Sequence, residues 1–571
     1  MYREIEMIKK VNGCERDNKE IMRYSVIFLI SAVIAFMCFV FFSVGYEEND
    51  DIFLNLISVG AFGDRYSHFL IHSNILLGVF LKYLNIILPT VNWYYLLMLL
   101  FNVLAVSLLC VYFTRDMSVH RLVPLTIIVN IILSKDFYIN LQFTKNAILY
   151  CCVGILAFLL FASELKYKDF VTGLIFFVLG GMVRFSCLLF IIPFGVISVA
   201  LVCIKHAEMI RMDYKRLVIS AVVLSVCIFA IWGTDKIAYS GEWGVFKQFS
   251  EYRSQIWDHT GVNYDAHRDE YESIGVSEND AAMFYDLTFA DTEYFTSDLL
   301  KKIRDIEYGQ GNSVSLRLNG SIIRDTSNEI KEAFSESILP GVFLMIVLMA
   351  VIWGNSFLAS IVSLLMLTGF TEYWYLTCMG RVLWRVEMGI WLPLCLITFF
   401  FLMSDRAGQN GENTGSTRKD IVLSVLLSAV VLFVFWSYQD WNYRSNKNTL
   451  LAEYDSEEPF INTFRADSEH IYLGNFFNPA PSSFAITRKR FGGAFENICY
   501  AGGWFMPSPV GLYYINKKGI TNPFKALIDE NAKMYYVCDS ESAERMRIFL
   551  EEHYKKEVEA VNIDGWVWEY R

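Results

Sequence analysis

Long apolar blocks constrain this chain more than any other feature of its sequence. Such blocks cross a bilayer only as helices of about 17 to 25 residues, because hydrocarbon satisfies no exposed peptide group. Clear runs cover residues 24–45, 93–113, 146–161, 217–234, 338–354, 356–373, 386–403 and 421–437, a shorter one covers 122–133, and 170–204 holds two spans broken at Arg184 and Pro193. We therefore predict a mainly α, polytopic transmembrane bundle of about eleven spans.

The amino-acid composition is also that of a membrane protein. Hydrophobic residues make up 54% of the 571 positions and charged residues 19%, whereas a soluble protein has roughly 45–50% and 25%. The formal net charge of −11 argues against a nucleic-acid partner, because binding of nucleic-acid phosphates needs a basic face. The expected surroundings are instead the lipid bilayer of a cell membrane.

Several common catalytic motifs are absent from the sequence. It contains no Cys-x-x-Cys, His-Glu-x-x-His, Walker loop or Gly-x-Ser-x-Gly, so ATP hydrolysis, zinc proteolysis and serine hydrolysis by those motifs are not supported. Most of the twelve cysteines lie in or beside spans, where cysteine behaves as a small hydrophobe. Cys499 and Cys538 form a candidate disulfide pair in the tail.

The distribution of Lys and Arg predicts an orientation. One alternating set of segments beside the spans holds seventeen of these residues and the opposite set holds seven, and the positive-inside rule assigns the richer set to the cytoplasm. The N-terminus is then cytoplasmic and the C-terminus extracytoplasmic. Residues 69–88 contain His72, Asn74 and Lys82 and would invert every later loop if they crossed, so we predict an amphipathic helix at the outer surface.

Five regions follow from this topology. They are a cytoplasmic N-terminal segment at 1–22, a membrane module at 23–234 with its first external loop at 46–92, a large external loop at 235–336, a second membrane module at 337–438 and an extracytoplasmic C-terminal domain at 439–571. A loop as long as 235–336 should have its own structure. The tail reads as a strand at 470–473, a strand at 534–538, a helix at 541–554 capped by Asp539 or Ser540, and strands at 558–563 and 566–570, which predicts a small α/β module.

An acidic run follows the first span directly, in the segment Gly-Tyr-Glu-Glu-Asn-Asp-Asp at 45–51. A solvated loop that stops the helix is the ordinary interpretation of a charge run. Here, however, an apolar helical stretch at 52–61 would hold Asp50 and Asp51 at the membrane surface, and the segment 68–88 would lie over them. Asp50 and Asp51, with Glu48 in reserve, are therefore candidate catalytic carboxylates, and which of the three acts is left open.

Isolated basic residues lie at the predicted outer ends of other spans. They are Lys145, Arg184, Arg381 and Arg385. One such residue ordinarily snorkels to the interface, but four on the side with fewer positive charges form a candidate phosphate site, in which guanidinium groups give bidentate contacts and lysine a point charge. Arg381 and Arg385 are four apart and should share a helix face, with Glu372 or Glu387 to orient them.

This layout resembles the class C (GT-C) membrane glycosyltransferases. The resemblance rests on a first external loop with acidic residues, an amphipathic outer helix, many further spans and a soluble C-terminal domain, and it covers residues 24–403. The stretch Gly-Arg-Val-Leu-Trp-Arg-Val at 380–386 and the Phe143-Thr144 pair also resemble GT-C-like proteins of Gram-positive bacteria. The resemblance implies a polyprenyl-phosphate-linked sugar as donor, and a carboxylate of the first external loop as the catalytic group.

The implied reaction is inverting sugar transfer to a hydroxyl acceptor, such as a cell-envelope glycan. Asp50 or Asp51 would act as general base, and Arg381, Arg385, Arg184 or Lys145 would stabilise the departing lipid phosphate. Mg²⁺ or Mn²⁺ on the acidic run would suit its oxygen ligands, but without histidine or a defined spacing we assign no metal. His68 and His72, four apart on the predicted interfacial helix, could contribute to the site, although an ordinary interfacial residue is the favoured interpretation of each.

Three other functions remain open at this stage. A lipid-linked glycan polymerase or ligase would depend on loop arginines such as Arg253, Arg268 or Arg317. A transporter or flippase would place charges at mid-membrane and show inverted repeats, and no convincing repeat is found. A receptor or scaffold would use the tail, whose Trp504, Phe505, Tyr513 and Tyr514 suit carbohydrate stacking or a protein core.

Overall fold

The protein is mainly α-helical, with helices suited to a membrane. The computed structural model describes residues 2–42, 44–63, 66–115, 117, 119–308, 320–409, 463–464, 466–467, 469–474, 496–554 and 557–571. Within this part, eight helices are long and apolar enough to cross a bilayer, and a ninth span exists if a bent helix pair counts as one. These features are those of a multi-pass membrane protein.

The N-terminal half contains most of the helical bundle. Its elements are α1 (Tyr2–Phe41), β1 (Gly45–Tyr46), α2 (Asn49–Ser58), α3 (Ile75–Ile87), α4 (Trp93–Phe113), α5 (Val119–Ser134), a π-helical turn (Lys135–Ile139), β2 (Asn140–Leu141), α6 (Phe143–Glu164), α7 (Tyr167–Val183), α8 (Phe185–Lys205), α9 (Ala207–Met212) and α10 (Tyr214–Ala238). Helix α6 is almost wholly buried and packs against α4, α7 and α8. Small residues permit this close packing, since a Cβ added to Gly180 of α7 would lie 2.4 Å from the Cys151 sulfur of α6.

The second half adds a helical loop, three more bundle helices and a tail domain. Its elements are α11 (Glu242–Gln255), a π-helical turn (Ile256–Thr260), α12 (Arg268–Ser273), α13 (Glu278–Tyr285), α14 (Ser297–Tyr308), α15 (Ile322–Glu336), α16 (Leu339–Trp353), α17 (Ser356–Cys378), α18 (Trp384–Gln409), β3 (Ile471–Gly474), β4 (Ile498–Tyr500), α19 (Tyr513–Lys517), α20 (Pro523–Ala526), β5 (Met534–Val537), α21 (Ser540–Tyr554), β6 (Ala560–Asp564) and β7 (Val567–Tyr570). Helices α15 and α16 meet at 99°. Helix α18 packs against α16, α17 and α6, which joins the two halves of the bundle.

Most predicted apolar runs coincide with helices, but the count of eleven spans stays a prediction. The run 170–204 breaks at Arg184, between α7 and α8, as expected. The expected break at Pro193 is wrong, because Pro193 lies inside α8, and apolar bundle helices tolerate proline where neighbouring groups satisfy the freed carbonyl. The expected span at 421–437 lies outside the described residues.

The predicted interfacial helix is shorter than expected. Helix α3 has 13 residues and is about 20 Å long, which is too short to cross a hydrocarbon core of about 30 Å. It begins only after Asn74, whose side chain accepts a hydrogen bond from the Leu76 N–H. His68 and His72 therefore precede the helix, in irregular chain that the Tyr239 hydroxyl anchors by accepting a hydrogen bond from the Ile71 N–H.

The C-terminal tail forms a five-stranded mixed sheet in the order β4-β3-β5-β7-β6. Strand β3 pairs in parallel with β4 and β5, and β7 pairs antiparallel with β5 and β6. The predicted tail strands and helix are confirmed, and Asp539 accepts a hydrogen bond from the Ser542 N–H at the start of α21. The candidate disulfide is wrong, because Cys499 and Cys538 are both free thiols.

The tail packs directly against the helical loop. The Ala501 carbonyl accepts hydrogen bonds from the N–H groups of Phe289 and Ala290, at 2.8 and 2.7 Å. Polar contacts extend this junction, since Asn522 donates to Asp291 at 2.9 Å. The loop and the tail therefore meet on the same side of the bundle.

A substitution at Gly502 should separate these two parts. A Cβ there would lie 1.8 Å from the Leu287 carbonyl oxygen, so Gly502→Ala should reduce the free energy of unfolding by about 1–3 kcal/mol. Thermal unfolding and limited proteolysis in detergent would measure this, with Gly244→Ala as the control because its Cβ would make only an ordinary 3.6 Å contact. Equal unfolding temperatures and proteolysis rates for the two variants would contradict the close packing at Gly502.

Candidate functional site

A cavity of about 1420 Å³ lies where the bundle, the loop and the tail meet. The residues that line it come from all three parts and include Asp50, Arg184, Arg253, Asp258, Arg385 and Trp504. Helices α10 and α17 contribute apolar and aromatic lining, including Trp232 and Tyr375. The cavity therefore joins charged groups to two candidate membrane spans.

A short parallel ladder positions the acidic run at this cavity. Gly45 and Tyr46 of β1 pair with Asn140 and Leu141 of β2, and the Glu47 N–H continues the ladder by donating to the Leu141 carbonyl at 3.0 Å. Helix α2 then begins, with Glu48 at its N-cap but without a side-chain capping bond. The Glu48 carboxylate is thus available to Arg385, with which it forms an ion pair.

Asp50 and Asp51 face different surroundings. Successive residues of a helix point about 100° apart, and only Asp50 of this pair lines the cavity. Asp51 is 1% exposed and accepts hydrogen bonds from the Tyr94 hydroxyl at 2.9 Å and from the Phe143 N–H at 3.0 Å. Asp51 therefore ties α2 to α4 and to the N-terminus of α6, while Asp50 is available to a ligand.

The charges of the cavity act on Asp50. Burial raises the pKa of its carboxyl group, as does Asp258, whereas Arg385, Arg184 and Arg381 oppose this increase. For Asp51, burial raises the pKa well above its usual value, although the hydrogen bonds from Tyr94 and Phe143 oppose the change. Asp50 is therefore a carboxylate whose basicity depends on neighbouring arginines.

The structure brings together three of the four predicted phosphate-binding residues. Arg184, Arg381 and Arg385 line one cavity, and Arg381 forms an ion pair with Asp258 at 2.6 Å. The expected arrangement of Arg381 and Arg385 on one helix face is wrong. Gly380 turns the chain with φ +67°, and α18 begins only at Trp384, so Arg381 precedes the helix. The expected orienting carboxylates, Glu372 and Glu387, form no ion pair with either arginine among the described residues.

Lys145 belongs to a different part of the structure. It is fully buried near the start of α6 and forms ion pairs with Glu47 at 2.5 Å and Asp136 at 2.7 Å. It does not line the cavity. Because a buried cation needs paired carboxylates, this group holds the acidic run against the π-helical turn rather than facing a ligand.

Arg184 is held by the Phe143-Thr144 pair noted in the sequence. Its guanidinium donates to the Thr144 hydroxyl and, at 3.3 Å, to the Ser186 hydroxyl. Its Cζ lies 4.8 Å from the centre of the Phe143 ring. Hydroxyl groups and an aromatic face orient this cation without neutralising it.

Sequence reasoning missed or undervalued two residues of the cavity. Arg253 of α11 was expected to matter only for a glycan polymerase or ligase, yet it lines the same cavity as Asp50. His72 lies between Trp504, at 4.4 Å between ring centres, and Phe143, at 6.1 Å. Burial and the nearby Arg184 and Arg253 lower the pKa of His72 to about 3, so its imidazole is neutral at physiological pH.

The possible metal ligands in the described part of the chain lie away from the acidic run. Among the described residues, the side chains close enough to share an ion are Asp280, Glu552 and His553, at the junction of the loop and the tail. The acidic run does not form such a group. The acidic run therefore stays without an assigned metal.

The arrangement is suited to an anionic substrate with a reacting hydroxyl group. One cavity combines a carboxylate that can accept a proton with arginines that can bind and stabilise negative charge. Comparisons with models of known protein families and with curated protein sequences find no match to this chain. The residues of the site are therefore the basis for assigning its chemistry.

Exchanging Asp51 should affect stability much more than exchanging Asp50. Asp51→Ala would leave the buried Tyr94 hydroxyl and Phe143 N–H without their acceptor, at a cost of about 2–4 kcal/mol. Asp50→Ala removes no such contact and should change the unfolding temperature little. Thermal unfolding of both variants in detergent would measure the difference, and equal destabilisation would contradict the distinct roles.

Proposed function

We propose that this protein is a membrane glycosyltransferase of the GT-C class, which moves a sugar from a polyprenyl-phosphate-linked donor to a hydroxyl acceptor at the outer face of the membrane. The observation that carries the proposal is that Asp50 shares one cavity with Arg184, Arg381 and Arg385. A base and a phosphate-binding group are the two components that such a transfer needs. The acceptor is a glycan or another hydroxyl compound of the cell envelope.

Asp50 acts as the general base in this reaction. Its carboxylate accepts the proton of the acceptor hydroxyl while the hydroxyl oxygen attacks the anomeric carbon. The new glycosidic bond forms as the bond from the anomeric carbon to the phosphate oxygen breaks, with inversion at that carbon. The polyprenyl phosphate leaves with the bonding electrons, and no external oxidant or reductant is needed.

The arginines stabilise the negative charge that grows on the leaving phosphate. Preorganised cations in a partly buried site are effective because they need no reorganisation during the reaction. Arg385 and Arg381 are held by Glu48 and Asp258, and Arg184 by hydroxyl groups. Asp51 and Lys145 position the acidic run and take no part in the chemistry.

The surroundings of the cavity support a lipid-linked donor. Helix α10 is apolar, and Ser220 and Ile231 are its only buried residues. Ile231 and Trp232 of this helix and Leu376 of α17 line the cavity together with the arginines. A phosphate bound at the arginines would thus have apolar helix surfaces beside it for a polyprenyl chain.

The side of the membrane follows from the predicted orientation. The positive-inside rule places the N-terminus in the cytoplasm and the segment after the first span outside. The loop and the tail contact each other and both line the cavity. Under the proposal, both therefore lie on the outer side of the membrane. The protein is then a multi-pass cell-membrane enzyme whose C-terminal domain is extracytoplasmic.

A lipid-linked glycan polymerase or ligase is the second candidate. The presence of Arg253 in the cavity favours it, since this loop arginine was its expected feature. Arg268 instead lies exposed beside Asp265, at 3.3 Å, and Arg317 lies outside the described residues. Both candidates use the same cavity and differ in whether the acceptor is itself a lipid-linked glycan.

Loss of the Asp50 carboxylate should slow transfer strongly without unfolding the protein. Asp50→Asn should reduce the rate about 10²-fold to 10⁴-fold, because the amide cannot accept the hydroxyl proton. The measurement is transfer of labelled sugar from a polyprenyl-phosphate sugar in membranes that contain the variant. Glu251→Gln is the matched control, since Glu251 is an exposed carboxylate that also lines the cavity, and full activity of Asp50→Asn would exclude Asp50 as the base.

The pH dependence of transfer should depend on Arg385. The deprotonated carboxylate of Asp50 is the active form, so the rate falls as pH decreases through the pKa of this group. Arg385 lowers that pKa, and Arg385→Gln should therefore raise it and move the acid limb of the kcat profile to higher pH. Arg381→Gln should move it less, because Arg381 has the smaller effect on Asp50; identical acid limbs in all three proteins would contradict the assignment.

A further inference from the structure

Arg253 is a buried cation that forms no ion pair with the carboxylates of the described residues. Its side chain is 6% exposed and lines the cavity from α11. Its Nε has no hydrogen-bond partner, and among the described residues no ion pair joins its guanidinium to a carboxylate. Asp258 and Asp50 act on this cation electrostatically, but neither forms an ion pair with it. Since a buried charge without a paired counterion is costly, this side chain marks a place suited to an anion.

The other cations of the cavity divide into two kinds. Arg381 and Arg385 already have carboxylate partners, Asp258 and Glu48. Arg184 resembles Arg253, because its hydrogen bonds go to hydroxyl groups and no described carboxylate forms an ion pair with it. Two guanidinium groups of one cavity therefore form no ion pair with a described carboxylate, although both interact electrostatically with Asp50.

The charges of Arg184 and Arg253 both act on His72. Arg184 and Arg253 are the two charged groups with the largest effect on it. Its ring packs against Trp504 and Phe143, and no hydrogen bond joins its ring nitrogens to a described residue. A neutral imidazole has one N–H donor, so His72 can donate to an oxygen atom bound between the two arginines.

We propose that Arg184, Arg253 and His72 form the primary phosphate subsite of the cavity. The subsite takes a phosphate or diphosphate group beside the two guanidinium groups. The phosphodiester of a lipid-linked sugar carries one negative charge, and a second develops as the bond to the sugar breaks. This inference rests on the proposed function for the identity of the ligand, a lipid phosphate, but the anion chemistry is set by the residues themselves. Arg381 and Arg385, predicted from the sequence, then surround the reacting end of the substrate beside Asp50.

The subsite also gives the loop and the tail a role in binding. Arg253 comes from the loop, Arg184 from the junction of α7 and α8, and His72 from the segment before α3, where Trp504 of the tail holds its ring. A bound phosphate therefore links the membrane bundle to the loop. Trp504 is a positioning residue, since its contact is with His72.

Binding measurements on the full-length protein in nanodiscs would test the subsite. The two probes are inorganic pyrophosphate and a polyprenyl phosphate, each titrated by isothermal titration calorimetry. Arg253→Gln and Arg184→Gln should each weaken binding at least about 10-fold, because each removes charge-assisted hydrogen bonds to the anion. Arg268 is an exposed arginine of the same loop and lies outside the cavity. The control variant Arg268→Gln should therefore bind both probes with wild-type affinity.

Conservative variants separate binding from folding. Arg253→Lys should keep part of the affinity because the charge remains, and His72→Gln should bind better than His72→Phe because the amide keeps an N–H donor. An unfolding temperature equal to that of the wild type would show that each variant is folded. If Arg253→Gln is misfolded, the comparison of Arg253→Lys with wild type and of His72→Gln with His72→Phe decides the question.

The outcomes distinguish this inference from the proposed function. Weakened binding of either probe by Arg253→Gln supports the subsite, and the probe that binds identifies a lipid or a free phosphate as its ligand. If that weakening occurs while no sugar transfer is found, the subsite stands and the transferase proposal fails. Unchanged affinity of Arg253→Gln for both probes, or no binding of either probe to the wild type, would overturn the subsite.

Discussion

The buried carboxylate of Asp51 is the constraint on which the site depends. It accepts hydrogen bonds from Tyr94 and from the Phe143 N–H at the start of α6, so one side chain fixes three helices. A carboxylate at a helix N-terminus satisfies free N–H groups and is favoured by the helix dipole. Because Asp51 is directed into the bundle, the adjacent Asp50 is directed into the cavity.

Hydropathy predicted what is local in this fold. The apolar runs that became α4, α6, α8, α10 and α17 are recognisable because length and composition alone suit them to a bilayer. The tail elements were predictable for a similar reason, since alternating strands and a capped helix have local signatures. The start of α3 was not, because the hydrogen bonds of Asn74 to Met182 of α7 and Ile231 of α10 hold this segment out of the helix.

The site was only partly predictable for a physical reason. The sequence identified Asp50, Asp51 and Glu48 as a group, but neighbouring residues of one helix differ only in direction, which their tertiary partners decide. Lys145 was grouped with the arginines by its place at a span end, whereas Glu47 and Asp136 engage it. Arg253 carries no local signal, because its position depends on how the loop meets the bundle and the tail.

The contact between Trp504 and His72 also has a consequence for biosynthesis. His72 and Trp504, which are far apart in the sequence, line one cavity, so the cavity is incomplete until the tail has been synthesised and has folded. A ribosome-bound intermediate that already contains α1 to α18 would lack the tail residues that line the cavity. The order of synthesis therefore delays the assembly of the cavity until the chain is nearly complete.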